Sequence, residues 1–391
     1  MKTAIVGGGA AGFFLAINLK ELMPEMQVVI FERSKRTLAK VEISGGGRCN
    51  CTNSFRDVRD LSAVYPRGHR LLKRLFKQFG PQEAYTWFER HGVKLVTQDD
   101  QCVFPASQDS HTIIDCFMRQ AHRLGVIIKT GCPINSLQEL SDFDFVAVTT
   151  GGSPRAEGLR WLQEAGISIV QPVPSLFTFN ISDTGLRALM GTVCEEATAS
   201  IPGTKLRADG PLLLTHWGMS GPAILKLSSH AARLLSENNY HLPLSINWAS
   251  QNDATAQAEL NALAASNAQK LVGNTPPFTL PQRLWGYLAN KVLARPLRWN
   301  ELGKKDMNRL ANALCNDTYQ IEGRSAFKDE FVTCGGVALS DVNPATLESR
   351  VVPRLYFAGE VLDIDGVTGG FNFQAAWTTA YAVAKGIVGV G

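Results

Sequence analysis

Near the start of this 391-residue chain, Gly7, Gly9 and Gly12 have the types and spacing of a turn that brings backbone amides up to a phosphate. Lacking side chains, Gly7 permits a tight turn, Gly9 lets the backbone approach a pyrophosphate, and Gly12 lets a helix pack closely on the preceding strand. A helix beginning at Ala10 and Ala11 adds unbonded N–H groups and the positive end of its dipole. Twenty residues past Gly12 stands Glu32, placed to accept hydrogen bonds from ribose hydroxyls and, by its charge, to disfavour a 2′-phosphate. A glycine fingerprint alone is a weak signal. Here a β-type run at 3–6 precedes it, an apolar helical stretch stopped by Pro24 follows, and a second strand at 27–31 ends at the acid. The unit reads as a dinucleotide site, without distinguishing NAD from FAD.

Three further segments favour FAD. Beyond Glu32 come Arg33 and Lys40, then SGGGRCNCTN at 44–53. Its glycines suit a backbone pressed against a flat polar ligand. Ser44, Gly46, Gly47, Arg48, Cys49, Asn50 and Asn53 are its expected contacts, with Lys40 and Arg48 positioned to offset phosphate charge. A hydrophobic strand at 143–148 runs into Thr150, Gly151 and Gly152, again a glycine pair at a strand's C-terminal end. Ile134, just before it, is counted with these contacts. Near the C-terminus a strand at 355–358 is followed by Gly359 and Glu360, the latter expected on the ribityl hydroxyls. A loop with Gly369 and Gly370 then opens a helix around Phe371, Asn372 and Phe373. A helix N-terminus there would stabilise negative charge on a reduced flavin ring.

The chain is too long for a single core, since cores stop growing above about 250 residues. Hydrophobic residues make up 45% and charged residues 19%, ordinary globular values, and a net charge of +4 permits anionic ligands without demanding nucleic acid. The glycines of the opening run argue against a signal peptide. With no apolar stretch of about 18 residues, a cytoplasmic protein without a membrane partner is expected. The eight cysteines are scattered with no metal-like spacing, and no metal is expected. Cys49 and Cys51 are too close in sequence for a comfortable disulfide, so they read as core thiols, not a redox pair.

From about residue 171 the pattern changes. Strands are expected at 173–182 and 210–215, a helix from Gly221 and Pro222 to 235, helices over 253–315, and strands at 318–321 and 331–337. The expected organisation is an FAD-binding domain of 1–170 and 331–391, a β-rich insert of 171–252 and 318–330, and a helical subdomain of 253–317. No second nucleotide fingerprint follows, so NAD(P)H would dock transiently at the flavin, or the substrate itself would reduce it. Arg67, Arg70, Lys73, Arg74 and Lys77 recur at helical spacing and raise a nucleic-acid reading, but Leu71, Leu72, Leu75 and Phe76 supply an apolar face and favour a solvated helix. His216, beside Trp217, reads equally as an acid–base group or as structural.

IVGGGAAG at 5–12, SGGGRCNCTN at 44–53, LLLTHWGMSGPA at 212–223, FVTCGGVALSDVNPATLES at 331–349 and LYFAGEVLDIDGVTGGFNFQAAW at 355–377 together resemble the bacterial flavoprotein family that includes aminoacetone oxidase and a bile-acid enone reductase. SGGG and TCGG more distantly resemble flavin-flanking loops of fumarate-reductase-type enzymes. Phe371 stands where tyrosine is usual and Ala380 where glycine is expected. The resemblance implies an α/β, Rossmann-like FAD-binding domain of the glutathione-reductase-like two-dinucleotide-binding type, with an inserted β-rich subdomain and a helical subdomain. It implies an FAD-dependent oxidoreductase exchanging a hydride between flavin N5 and a small organic substrate, with NAD(P)H as donor or O2 as acceptor left open. His216, Thr333 and Asn50 are the catalytic candidates. A flavoprotein acting on nucleic acid, as in tRNA modification, and a non-catalytic flavin sensor are the alternatives.

Overall fold

The strand Lys2–Val6 is buried over four of its five residues because it lies at the middle of a sheet. In the computed structural model of the chain, which describes residues 1–153, 156–324 and 332–390, this strand pairs in parallel with Gln27–Glu32 on one side and Phe145–Val148 on the other. Ile127–Thr130 extends the sheet beyond Gln27–Glu32, and Leu355–Phe357 extends it beyond Phe145–Val148, both in parallel. Central parallel strands are covered on both faces, hence their almost unbroken apolar runs. The two ends of the chain thus share one sheet, and the helices Ala10–Leu22 and Phe371–Val390 pack in one core. Phe14 carries that contact, its ring 5.2 Å from Trp377 and 4.6 Å from Trp87.

A small antiparallel sheet of Thr52–Asn53, Cys102–Pro105 and Leu95–Thr97 holds the segment after the glycine triplet. The chain leaves and re-enters this unit through Ile169–Ser175 and Val332–Val337, which pair with each other. Gly335 permits that pairing: at φ +106 an added Cβ would lie 2.5 Å from Gln171 O. The stretch expected as one strand at 173–182 is therefore divided. Its first residues belong with Val332–Val337, and only Phe179–Asn180 joins the sheet of the insert.

The chain divides into two compact units, Met1–Pro174 with Val332–Gly391, and Ser175–Phe331. The second is built on six antiparallel strands in the order Asp317–Glu322, His241–Asn247, Val193–Ser200, Arg207–Leu214, Gly218–Ser220, Phe179–Asn180. The helices Asp253–Ser266, Gln282–Val292 and Lys304–Cys315 have no core of their own. Leu260, Trp285 and Leu310 lie in the same cluster as Ile246, Trp248 and Ile321 of the strands and their flanks. The apolar positions of Lys304–Cys315, Met307, Leu310, Ala311 and Leu314, recur at the spacing of one helix face, and that face is spent on the sheet. The helix expected to run to 235 is two, Pro222–His230 and Ala232–Glu237, separated at Ala231. Residues 325–331, where the insert was expected to end and the strand at 331–337 to begin, lie outside the described residues.

Candidate cofactor site

The glycines of the first turn do different work. Gly7 has φ +118, and an added Cβ would collide with Thr149 O. A Cβ on Gly12 would collide with Gly7 O and lie 2.8 Å from Thr149 Oγ1, so glycine there lets helix and strand touch. Gly9 has an ordinary φ of −93, and a Cβ there would meet no protein atom within 4 Å. The protein's own packing gives no reason for glycine at 9 and leaves open space beside it, as the approach of a pyrophosphate would require. No side chain caps the helix Ala10–Leu22, and its first turn holds no acid, so the amides of Ala10 and Ala11 suit an anion. Glu32 ties this turn to the second strand: its two carboxylate oxygens accept from Gly8 N–H and Ser34 N–H, each at 2.8 Å. Each oxygen retains a lone pair for a ribose hydroxyl. Arg33 and Thr150 are exposed, and Ile134 packs half-buried in the small cluster of Ala4, Val6 and Phe31.

Glu360 gathers residues from across the chain. Its Oε2 accepts from Lys40 Nζ at 2.7 Å, and its Oε1 from Thr333 N–H at 2.9 Å. A Cβ on Gly152 would sit 2.7 Å from Glu360 Oε1 and 2.5 Å from Thr333 Oγ1; one on Gly359 would sit 2.9 Å from the Ala11 methyl. Burial pushes the Glu360 carboxyl up, but the charge and hydrogen bond of Lys40 and the backbone amides of Thr333 and Gly152 outweigh it, and the net shift is downward. Lys40 was expected on phosphate; here its charge is matched by Glu360. Arg48 likewise lies over the Phe104 ring, 4.3 Å from its centre, and donates to Gly45 O.

The helix Ala39–Gly47 breaks at Ser44 (ψ 149), and Gly45, Gly46 and Gly47 follow with positive φ. Added Cβ atoms at Gly46 and Gly47 would meet nothing within 4 Å, as at Gly9. The next residues clamp this loop to the C-terminal helix. With its amide turned so that oxygen and nitrogen each face a complementary group, Asn50 donates to Thr52 O at 2.9 Å and accepts from Gly370 N–H at 3.1 Å. Asn53 donates to Gly369 O at 2.9 Å, and Thr52 Oγ1 donates to Gln374 Oε1 at 2.6 Å. Asn372 closes its own loop on Gly366, Tyr65 O–H donates to Phe371 O, and Phe373 stacks on Trp377. The N-terminus of Phe371–Val390 is thereby fixed against the 44–53 loop.

Among the catalytic candidates, Thr333 is brought to Glu360 and Gly152, and Asn50 is committed to the clamp. His216 belongs to the second unit, where it is exposed with its ring 4.3 Å from Trp217 and its carbonyl accepting from Arg187 Nε. Cys49 and Cys51 are buried and unbridged; burial pushes the Cys49 thiol up to about 12 and Cys51 well above its usual value. Of the basic series, Arg70, Lys73, Arg74 and Lys77 are exposed around His69–Leu75. Arg67 instead turns inward to a bidentate ion pair with Asp365, a fully buried carboxylate. That pair anchors the loop leading to Gly369 and Gly370. Nothing near either residue in sequence announces it, because the partners lie 298 positions apart. Among the described residues there is no cluster suited to a metal ion, and no helix is long and apolar enough to cross a membrane.

The sequence pattern of the HI0933-like protein Rossmann domain matches residues 1–386. The chain is 25% identical to the 3-dehydro-bile acid delta(4,6)-reductase of Clostridium scindens, over 98% of both chains. It is 26% identical to the ribosomal RNA dihydrouridine synthase of Escherichia coli, over 98% of this chain and 97% of that one. Among solved structures, the 3-ketosteroid delta1-dehydrogenase of Sterolibacterium denitrificans superimposes with a TM-score of 0.51 at 11% identity, over 100% of this chain and 99% of that one, a likeness of fold.

Proposed function

The chain belongs to the HI0933-like family and is an FAD-dependent oxidoreductase, and on that premise we propose that it reduces a carbon–carbon double bond conjugated to a carbonyl. The names of two full-length relatives support this reading, because saturating a 3-oxo-4,6-diene and saturating the C5–C6 bond of uracil are one kind of chemistry. In both, an electron-poor carbon of the conjugated system (β to the carbonyl, or δ where a second double bond extends it) gains a hydride and its neighbour in the reduced bond gains a proton. Bound FAD supplies the hydride chemistry.

The chain's own residues hold and bias that cofactor. Gly9, Ala10 and Ala11 would receive the pyrophosphate, Glu32 the adenosine ribose, and Glu360, oriented by Lys40 and the Thr333 amide, the ribityl chain. The observation that carries the redox reading is the clamp of Asn50 and Asn53 on Gly370 and Gly369. It fixes the positive end of a 20-residue helix beside the 44–53 loop, where it would stabilise the negative charge of a reduced ring. Reducing equivalents arrive from NAD(P)H docking transiently.

Anaerobic mixing of the holoprotein with NADH or NADPH tests this. The expected result is bleaching of the flavin's visible band, followed by its return on adding a 4-en-3-one steroid or a uridine-containing RNA. Failure of both nicotinamides to bleach it, with peroxide released from primary amines in air, would replace the reductase reading by an oxidase one.

A further inference from the structure

The second unit carries a concave surface that the cofactor site does not use. The exposed face of Lys304–Cys315, with the end of Gln282–Val292 and the start of Asp317–Glu322, lines a cavity of about 770 Å³. We propose that this groove binds the sugar–phosphate backbone of single-stranded RNA. The proposal concerns binding alone and does not require RNA to be the substrate of the reaction above.

Charge is the first argument. Lys304, Lys305 and Arg309 line the groove, are exposed, and have no carboxylate within ion-pair distance among the described residues. The lining acid is Asp317, whose side chain is only 5% exposed. Its oxygens are already occupied by Lys291 Nζ at 2.6 Å, Trp248 Nε1–H at 3.0 Å and the Tyr319 hydroxyl. Lys291 is itself held over the Tyr319 ring, 4.2 Å from its centre. The pair is therefore internally neutralised, and the groove presents three unmatched cations. Two of these lie in the first turn of their helix, where a positive charge opposes the dipole. Asp306 in the same turn offsets part of that cost but forms no ion pair with either lysine among the described residues, and both remain open to an anionic partner.

Amide chemistry is the second argument. Asn308, Asn312 and Asn316 recur every four residues along the same face, with a rise of about 6 Å between successive amides. Asn316 donates to Asp253 at the rim, whereas the amides of Asn308 and Asn312 have no protein partner among the described residues. An amide both donates and accepts, which is what a 2′-hydroxyl between phosphates requires. An acidic peptide would be served by the cations alone. No aromatic ring lines the groove, so it has no platform for stacking bases, and contacts confined to the backbone carry little sequence preference.

The test uses oxidised holoprotein with no reductant, and fluorescein-labelled single-stranded RNA of mixed sequence beside DNA of the same sequence, read by anisotropy. RNA is expected to bind more tightly than DNA. Removing three phosphate contacts with Lys304→Ala/Lys305→Ala/Arg309→Ala should lower the salt slope by about 2, so that between 50 and 200 mM salt the wild type loses about twentyfold more affinity than the variant. Asn308→Ala/Asn312→Ala should leave the slope unchanged and erase the preference for RNA. Flavin absorption and the thermal midpoint of both variants report that the fold is kept. Binding by the triple variant equal to wild type, equal affinity of the wild type for RNA and DNA, or equal displacement of the RNA by polyglutamate each overturns the proposal. None of these readouts depends on turnover, so failure here and failure of the reductase reading are separate results.

Discussion

Replacing Gly9 by alanine separates what the first turn does for the fold from what it does for the cofactor. The backbone at Gly9 is extended (φ −93, ψ −166), which any residue adopts, and the new methyl would meet no protein atom within 4 Å. Substituting glycine by alanine at such a position removes freedom from the unfolded chain and stabilises by about 0.4–1 kcal/mol. For a unit of this size that is a rise of about 1–4 °C in the thermal midpoint of the apoprotein. The same methyl stands where the pyrophosphate must approach the amides of the helix N-terminus. Losing one charge-assisted hydrogen bond there costs about 1.5–3 kcal/mol, or about tenfold to a hundredfold in Kd for FAD. Calorimetric titration of apoprotein with FAD, beside a thermal melt of the same sample, reads both quantities. Gly12→Ala is the paired control: its Cβ collides with Gly7 O, so stability falls by about 2–3 kcal/mol and binding falls with it. A Gly9→Ala protein that binds FAD as tightly as wild type would refute the assignment of this turn to the pyrophosphate.

Glu360→Gln should flatten the acid limb of the stability profile. The Glu360 carboxyl is held below its ordinary value of 4.5, so its contribution is complete above that pH and is lost as pH falls through the lowered folded value; chemical denaturation of wild type and variant at a series of acid pH values measures the difference. Asp365→Ala leaves the largely buried Arg67 guanidinium without its bidentate partner and should cost about 3–5 kcal/mol. Because the loop to Gly369 is anchored by that pair, the variant should also lose FAD on gel filtration, and full retention of flavin would argue against the anchoring role. Cys49 and Cys51 should resist alkylation in the folded holoprotein at neutral pH, since burial holds both thiols protonated; mass spectrometry after iodoacetamide checks this, and rapid labelling at either position would contradict the core assignment.

The first turn was legible in the sequence because its glycine spacing, the periods of the flanking runs and the acid that follows all lie within one strand–helix–strand unit. Glu32 holds Gly8 and Gly12 packs on Gly7 inside that unit, whereas the collision that fixes glycine at 7 is with Thr149, 142 residues away, and no local pattern announces it. The C-terminal strand, glycine loop and helix were legible for the same reason. Partnerships across the chain were not. Lys40 carries a charge that suits a phosphate, and only the fold shows Glu360 beside it, 320 residues away. Arg67 sits in register with a solvated basic stripe and yet turns inward to Asp365. Periodicity shows that Lys304–Cys315 has an apolar face but not which surface will cover it, so the helical stretch read as a part by itself.

Glu360 shows why the long-range partners matter more than their number suggests. A largely buried carboxylate is tolerable only when charge and hydrogen bonds replace its water. Here the replacement comes from Lys40 after the second strand and from the Thr333 amide where the chain re-enters the first unit, while Gly152 leaves room for the Thr333 side chain and the carboxylate itself. The carboxylate is thus satisfied only when three separate returns of the chain are in register. The polar floor of the candidate site and the closure of the parallel sheet by Leu355–Phe357 are therefore formed together, because the carboxylate whose charge must be met lies in the turn directly after that strand.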